Sequence, residues 1–390
     1  MKICFLADSV FTVGGVQRVC AVIAKALAQK GHDITIMTFD EPEKKDTTLY
    51  GLNEVDIKYQ FVAYPNPSAI KEKCCKAYSY IYRRLLPKEG IFNDLYAHSS
   101  FPSERRLYLA GKLAEGHYDV IVGVHVFLAA RLATMQGQLH KAKLIGWSHN
   151  SYDALFGEDT KYYLGPVVAP YYASRFKMLD HFVVLTHQDA QVYQKLHGIT
   201  PTAIYNPLTL KPGKPSTGDS KKFLAVGRLA KGHKGFDILI DAFNIFAKQN
   251  KEWTLDIVGE GPEQPVFEKM IQDYQLQDRV KIHPFTNNIQ EYYSAAQVYI
   301  LSSRWEGFGL VIVEAMAHAL PVISSDLPTS KEIMGDTGHY FTNGNAEELA
   351  QEMLKATNYN WSEEADKALK TAQRFTIGTI IAEWEKIIND

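Results

Sequence analysis

The chain is poor in cysteine. It has four in 390 residues, Cys4, Cys20, Cys74 and Cys75, and two of these are adjacent. Four so placed make neither a disulfide framework nor a zinc-ligand spacing, which points to a reducing, cytoplasmic compartment. Charge of one sign is also lacking. The formal net charge is −2, so the chain as a whole is no nucleic-acid binder. Long hydrophobic runs are absent. The longest apolar stretch, around residues 119–132, contains His125 and Arg131 and falls short of the ~20 residues of a membrane span. The N-terminus, MKICFLADSV, carries Asp8 and lacks the long apolar region and small-residue cleavage site of a signal peptide. The expectation is a cytoplasmic protein, either soluble or peripheral on the inner face of the cell membrane. Disorder is excluded by 46% hydrophobic and 22% charged residues. The length suggests two domains, at roughly 100–200 residues each.

Charge is unevenly distributed. Residues 1–208 carry 23 Lys and Arg against 19 Asp and Glu, and residues 209–390 carry 19 against 25. Within the first half, residues 71–112 hold nine basic and four acidic side chains, with Tyr78, Tyr80, Ile81, Tyr82, Leu85 and Leu86 interleaved. Such a segment suits contact with an anionic membrane surface. It suits equally a solvated helical face with an apolar underside.

The chain repeats one pattern twice. Lys2–Ala7 has a strand's composition and leads to Gly14-Gly15. A helical spacing follows over residues 16–29, then a second strand at Asp33–Thr38. Further strands are expected at Val120–Val124, Leu144–Trp147, Phe182–Leu185 and Ala203–Tyr205. A Pro/Gly/Ser-rich stretch over 207–220 reads as a linker. The pattern then restarts with a strand at Phe223–Val226, a basic glycine loop at 227–235, a helix at 237–248 and strands at Thr254–Val258, Val298–Leu301 and Pro321–Ser324. This predicts an α/β protein of two Rossmann-like, doubly wound domains facing across a cleft. The N-terminal domain spans 1–206 and the C-terminal one 221–360. Residues 361–390 form a terminal helix that either completes the second domain or straps back onto the first.

Two loops carry the chemistry. In Gly227-Arg228-Leu229-Ala230-Lys231-Gly232-His233-Lys234-Gly235, glycines allow close approach of a phosphate, and Arg228 and Lys234 suit a diphosphate. A basic surface loop is the plainer reading. In Glu306-Gly307-Phe308-Gly309-Leu310, glycines precede an apolar helix whose free N–H groups make an anion site, and Glu314 follows inside that helix. A capping Glu and a helix-face Glu would be the ordinary explanation. Thr12-Val13-Gly14-Gly15 after the first strand is not G-x-G-x-x-G, which disfavours a nicotinamide dehydrogenase.

Taken together, the motifs resemble those of glycosyltransferase family 4, whose members retain anomeric configuration and have the GT-B fold. Glu306 and Glu314 match the E-x7-E signature. Gly227-Arg228-Leu229 through Lys234-Gly235 looks like the diphosphate loop, Gly259-Glu260-Gly261-Pro262 like the G-x-G-P turn, and Gly14-Gly15-Val16-Gln17-Arg18 like the N-terminal GG loop. The resemblance implies that Arg228 and Lys234 hold the donor diphosphate, that Glu314 binds the ribose, and that Glu306 contacts the transferred sugar with the amides of Phe308, Gly309 and Leu310. It implies that Gly15 lets its loop approach the donor phosphates. It makes His149 the N-domain histidine near sugar and acceptor, with His125 a second acceptor-side residue; His149 reads otherwise as a packing histidine.

The match has departures. Lys234 lies six residues after Arg228, where the family usually has five, and Lys231 is a rival. Ala319 replaces the usual Gly before Pro321-Val322. The implied activity is metal-independent, cofactor-free transfer of a hexosyl unit from a nucleotide sugar, UDP by family frequency. The acceptor would be a glycan or lipid-linked saccharide in cell-surface polysaccharide synthesis. A non-catalytic partner subunit and a sugar-nucleotide epimerase are the alternatives.

Overall fold

The computed structural model describes residues 1–157, 164–230 and 232–390. The chain divides into two compact units, Met1–Pro207 with Ile377–Asp390, and Leu208–Thr376. Each is built on one parallel sheet.

In the first unit the strands are Lys2–Ala7 (β1), Asp33–Thr38 (β2), Ile57–Phe61 (β3), Val120–Val124 (β4), Lys143–Trp147 (β5), His181–Val184 (β6) and Thr202–Ala203 (β7). Their spatial order is β3-β2-β1-β4-β5-β6-β7. The second unit has Lys222–Val226 (β8), Thr254–Val258 (β9), Val280–His283 (β10), Val298–Leu301 (β11), Val322–Ser325 (β12) and His339–Phe341 (β13), in the order β10-β9-β8-β11-β12-β13. Strand order reverses between β1 and β4, and again between β8 and β11. In open α/β sheets ligands bind beyond the carboxyl ends of the strands at such a reversal. There the chain places Asp8 and His125 in the first unit, and Gly227 and Ser302 in the second.

The central strands are continuously apolar because helices cover both faces. β4 and β11 are buried along their whole length. The edge strands β3 and β10 bury only part of theirs. In the second unit one core joins Phe223, Ile238, Phe243, Phe246, Trp253 and Ile300. In the first, an aromatic cluster of Tyr82, Tyr96, Tyr152, Phe176, Phe182 and Tyr193 is separate from an aliphatic one around Leu6, Met37, Leu109 and Leu144.

Two expected boundaries are corrected. Residues 208–220 are not a free linker but part of the second unit. Leu208 N–H donates to the Phe375 carbonyl at 2.7 Å, Ser216 N–H to the His318 carbonyl at 2.9 Å, and the Ser216 hydroxyl to the Ala296 carbonyl. His318 accepts the Gly213 N–H on Nε2 at 3.0 Å, which fixes the proton on Nδ1, where it donates to the Glu314 carbonyl at 2.7 Å. Pro and Gly here shape an ordered strap rather than a spacer.

Nor is 361–390 one helix. Trp361–Ala372 belongs to the second unit, as does Phe375, which packs edge-on against Phe308 at 5.9 Å. Thr376 is extended and ends that run. Ile377–Asn389 is a separate helix in the first unit, burying Ile380, Ile381, Trp384 and Ile388. Trp384 meets Trp147 of β5 edge-on at 4.7 Å. Lys143 Nζ donates to the carbonyls of Ile387 and Ile388 at 3.1 and 3.2 Å, supplying a cation where the helix leaves its last acceptors unpaired. Among the described residues no helix is long and apolar enough to cross a membrane.

The terminal helix is therefore structural for the first unit. Trp384→Ala should lower stability by about 3–5 kcal/mol, the usual cost of truncating a fully buried Trp. Urea unfolding followed by fluorescence would check it, and a loss under about 1 kcal/mol would show that the helix only rests on the unit.

Candidate active site

β8 ends at Val226, and the chain turns outward into the basic glycine loop before helix Phe236–Gln249. Gly227 N–H stays tied to the Val258 carbonyl at 3.0 Å, and Leu229 N–H to the Glu260 carbonyl at 2.8 Å. The G-x-G-P turn therefore braces the loop from beneath. A Cβ on Gly259 would collide with the Gly227 carbonyl, so this approach requires glycine. At the other end, Gly235 adopts φ 63°, and a Cβ there would strike the Ser302 carbonyl.

This closeness brings Lys234 to the loop after β11. Its Nζ donates to Glu306 Oε1 at 2.6 Å, and Ser303 Oγ donates to the same oxygen at 2.6 Å. The Lys234 stem lies over Gly227. Glu306 is 8% exposed. Burial alone would push its carboxyl up, but the Lys234 ammonium, with His233 and the Ser303 hydroxyl, pulls it below the usual carboxylate range. Glu306 is thus ionised at neutral pH. The surrounding loop is stitched down. Ser302 Oγ donates to the Lys234 carbonyl at 2.8 Å, Arg304 N–H to the His233 carbonyl at 2.8 Å, and the Arg304 guanidinium forks onto Asp237 at 2.9 and 2.6 Å. His233 stacks on Trp305 at 3.7 Å. Burial, then the neighbouring Lys234, lowers its pKa to about 4, so its ring is neutral.

Arg228 is exposed on this loop, with no side-chain hydrogen bond or ion pair among the described residues. Lys231 lies outside the described residues. Beyond Glu306, buried Phe308 anchors the turn. Gly309, at φ 84°, opens helix Leu310–Ala317, whose first N–H groups have no partner within the helix. Glu314 is buried in that helix and accepts the Tyr293 hydroxyl at 3.0 Å. Arg228, Lys234, Glu306, Phe308, Gly309, Leu310 and Glu314 thus all belong to the second unit, at the carboxyl ends of β8 and β11 or in the helix that follows.

Gly15, His125 and His149 belong to the first unit. Gly15 opens helix Gly15–Gln29. The Tyr50 hydroxyl takes the Gly14 N–H at 3.0 Å and donates toward the Thr12 carbonyl at 3.1 Å, pinning the GG loop. His125 has φ 77° and ψ 149°, a conformation that costs a non-glycine residue energy and is concentrated at functional sites. The Asn150 amide donates to its Nε2 at 3.0 Å. Burial lowers its pKa to about 4. His149 is buried against Trp147, with ring centroids 4.1 Å apart. Its Nε2 has no hydrogen-bond partner among the described residues. Burial, and then His125, hold it well below the usual histidine range, so it too is neutral.

Residues 13–211 match the family profile described as Glycosyltransferase Family 4, and residues 209–375 the one described as Glycosyl transferases group 1. The chain belongs to the GT-B glycosyltransferases. An uncharacterized glycosyltransferase of Haemophilus influenzae is 27% identical, the alignment covering 99% of both chains. The amylovoran biosynthesis glycosyltransferase AmsD of Erwinia amylovora is 24% identical over 100% of this chain and 99% of its own. Among solved structures, Anabaena Alr3699/HepE in complex with UDP and glucose superposes with a TM-score of 0.73 at 21% identity, covering 100% of this chain and 99% of that one.

Several residues of this glycosyltransferase were not given roles by the motifs. Ser303 has a faint signal, a hydroxyl three residues before a carboxylate. Tyr293 and Tyr50 have none, since they reach Glu314 and the GG loop from 21 and 36 positions away. Among the described residues, no group of three or more His, Cys, Asp or Glu is arranged to hold a metal ion.

Because the folded Glu306 carboxyl is depressed, its contribution to stability is present above the ordinary carboxylate pKa and fades as pH falls through the folded value. Lys234→Met should reverse that sign. Uncompensated burial would then raise Glu306, costing about 3–5 kcal/mol at neutral pH and progressively less as acid protonates it. Urea midpoints compared at neutral and mildly acidic pH would check this, and equal losses at both would refute the pairing.

Proposed function

We propose that this glycosyltransferase moves a hexosyl unit from a nucleotide sugar, UDP being the nucleotide, to a glycan or lipid-linked saccharide of a cell-surface polysaccharide, with retention of configuration. The observation that carries the reading is the Lys234–Glu306 pair beside an exposed Arg228 at the strand-order reversal of the second sheet. Breaking a sugar–phosphate bond builds negative charge on the departing diphosphate. Arg228 offers a fork of donors for it, Lys234 a point charge, and the N-terminus of helix Leu310–Ala317 its free amides. No metal enters the scheme, because these groups supply the positive charge themselves.

Glu306 then contacts the sugar. One of its oxygens already takes two hydrogen bonds. A carboxylate so engaged is a positioned acceptor for sugar hydroxyls rather than a free nucleophile. The family resemblance then implies same-face attack with retention, the acceptor oxygen bonding the anomeric carbon as the sugar–phosphate bond breaks and the leaving phosphate takes the acceptor's proton. Glu314, held by Tyr293, is assigned to the ribose. Gly15 is assigned to the donor phosphates, and His149 and His125 to the acceptor side. Neutral imidazoles suit hydroxyls. The name of the Erwinia relative and the UDP and glucose of the Anabaena complex support the substrate class.

Arg228→Ala should lower transfer at least about 100-fold, the scale of losing one transition-state donor, while leaving the urea midpoint unchanged. Calorimetry with UDP-, GDP- and ADP-sugars in the presence of chelator identifies the donor. NMR of the product's anomeric centre reads the stereochemistry. A variant keeping more than half its activity would remove Arg228 from the diphosphate.

A further inference from the structure

Glu314 sits in a helix, Leu310–Ala317, that carries no other polar side chain. Two residues beyond that helix bear on its carboxylate. The Tyr293 hydroxyl, from helix Ile289–Ala295, donates to Glu314 Oε2 at 3.0 Å. His318, the residue after Ala317, stacks on the Tyr293 ring with centroids 5.0 Å and planes 23° apart. Tyr293 and His318 are both fully buried. The strap at 208–220 grips the same two elements. Gly213 N–H donates to the His318 ring, the Ser294 hydroxyl to the Lys214 carbonyl, and the Ser216 hydroxyl to the Ala296 carbonyl. These contacts fix helix Ile289–Ala295 against the end of helix Leu310–Ala317. Tyr293 carries that fixing to one carboxylate oxygen.

We infer that Tyr293 is a positioning residue that makes the donor site selective for ribonucleoside over 2′-deoxyribonucleoside diphosphates, and that His318 and the strap hold it in place. A carboxylate offers about four acceptor directions. The tyrosine hydroxyl takes one of them on Oε2 and so sets the plane in which the others lie. A site built around a substrate hydroxyl rejects the analogue that lacks it, because a buried polar group is then left unpaired. That rejection requires an acceptor that stays in place, and a carboxylate free to turn away would discriminate less. Packing accounts for the Tyr293 ring, which touches Tyr299 and His318, but phenylalanine would pack there as well. The hydroxyl is what reaches Glu314. The inference rests on the assignment of Glu314 to the ribose and adds what sets the carboxylate's angle.

Calorimetry with UDP, 2′-deoxy-UDP and 2′,3′-dideoxy-UDP tests it and needs no acceptor. The native protein should bind UDP at least about tenfold more tightly than 2′-deoxy-UDP, the scale of one hydrogen bond to a charged group. Tyr293→Phe removes one oxygen and no packing, and His318→Phe keeps a ring but releases the strap. Each should bring the ratio below about threefold, chiefly by weakening UDP. A merely structural Tyr293 would weaken both nucleotides alike, and a native ratio in Tyr293→Phe would overturn the inference. A native ratio in His318→Phe beside a collapsed one in Tyr293→Phe would remove the strap's part. Equal native affinity for UDP and 2′-deoxy-UDP would overturn the selectivity. The dideoxy probe keeps the two readings apart. If the native protein rejects it while Tyr293→Phe leaves the ratio unmoved, the inference fails and the ribose assignment stands. If the native protein binds it as tightly as UDP, or binds no UDP, the ribose assignment fails and the inference with it.

Discussion

The buried pair of Lys234 and Glu306 is the constraint around which the second unit is arranged. Neither charge is tolerable there alone, because desolvating an ion costs several kcal/mol unless a partner and further hydrogen bonds answer it. Two loops that follow different strands must therefore meet within 2.6 Å. The parallel neighbours β8 and β11 bring them to the same edge. Gly235 lets the backbones touch. Ser302, Ser303 and the Arg304–Asp237 fork then lock the meeting from both sides. Ser325 Oγ, donating to the Ser303 carbonyl at 2.6 Å, extends the bracing to β12.

Such pairs seldom add stability over a well-packed apolar alternative. Their presence at a strand-order reversal is better explained by chemistry. An ionised carboxylate with one oxygen engaged twice is rigid before any ligand arrives, so reorganisation is small when charge develops. Arg228 differs from Lys234 in this respect. It is exposed and makes no side-chain hydrogen bond or ion pair among the described residues. One cation is thus held in place and the other is free to move, which on the proposed function would separate holding the site's shape from gripping the leaving group.

The sequence made the centre of each sheet legible and its margins obscure. β1, β4 and β11 read correctly to the residue because a strand covered on both faces is almost continuously apolar, and β2 and β9 because Ile, Leu, Val and Met dominate DITIMT and TLDIV despite their Thr and Asp. β3 (IKYQF), β10 (VKIH) and β13 (HYF) escaped notice because an edge strand, exposed on one face, carries the polar residues of a loop. The strap at 208–220 was misread for a related reason. Pro, Gly and Ser mark an absence of regular structure, not an absence of hydrogen bonds, and His318, a hundred positions away, supplies them. Glu306, Lys234 and the GG loop were legible because motif glycines announce where backbone must approach closely. Their supports, Tyr50 and Tyr293, act through space and leave no local pattern.

The two units also divide chemically, and the division follows from burial rather than from residue type. The first unit brings histidines to the carboxyl ends of β4 and β5, and burial strips both of charge. His125 is lowered to about 4, and the buried His149 lies below the usual range. A neutral imidazole is a poor phosphate ligand but an adaptable partner for hydroxyls, able to give a proton at one nitrogen and take one at the other. The second unit instead presents the cationic side chains of Arg228 and Lys234 at the carboxyl end of β8. Packing against Trp147 and hydrogen bonding to Asn150 keep these two imidazoles neutral and out of water, which suits the hydroxyl-binding role proposed for them. On the proposed reading, this difference in charge is what would let one unit take the donor and the other the acceptor.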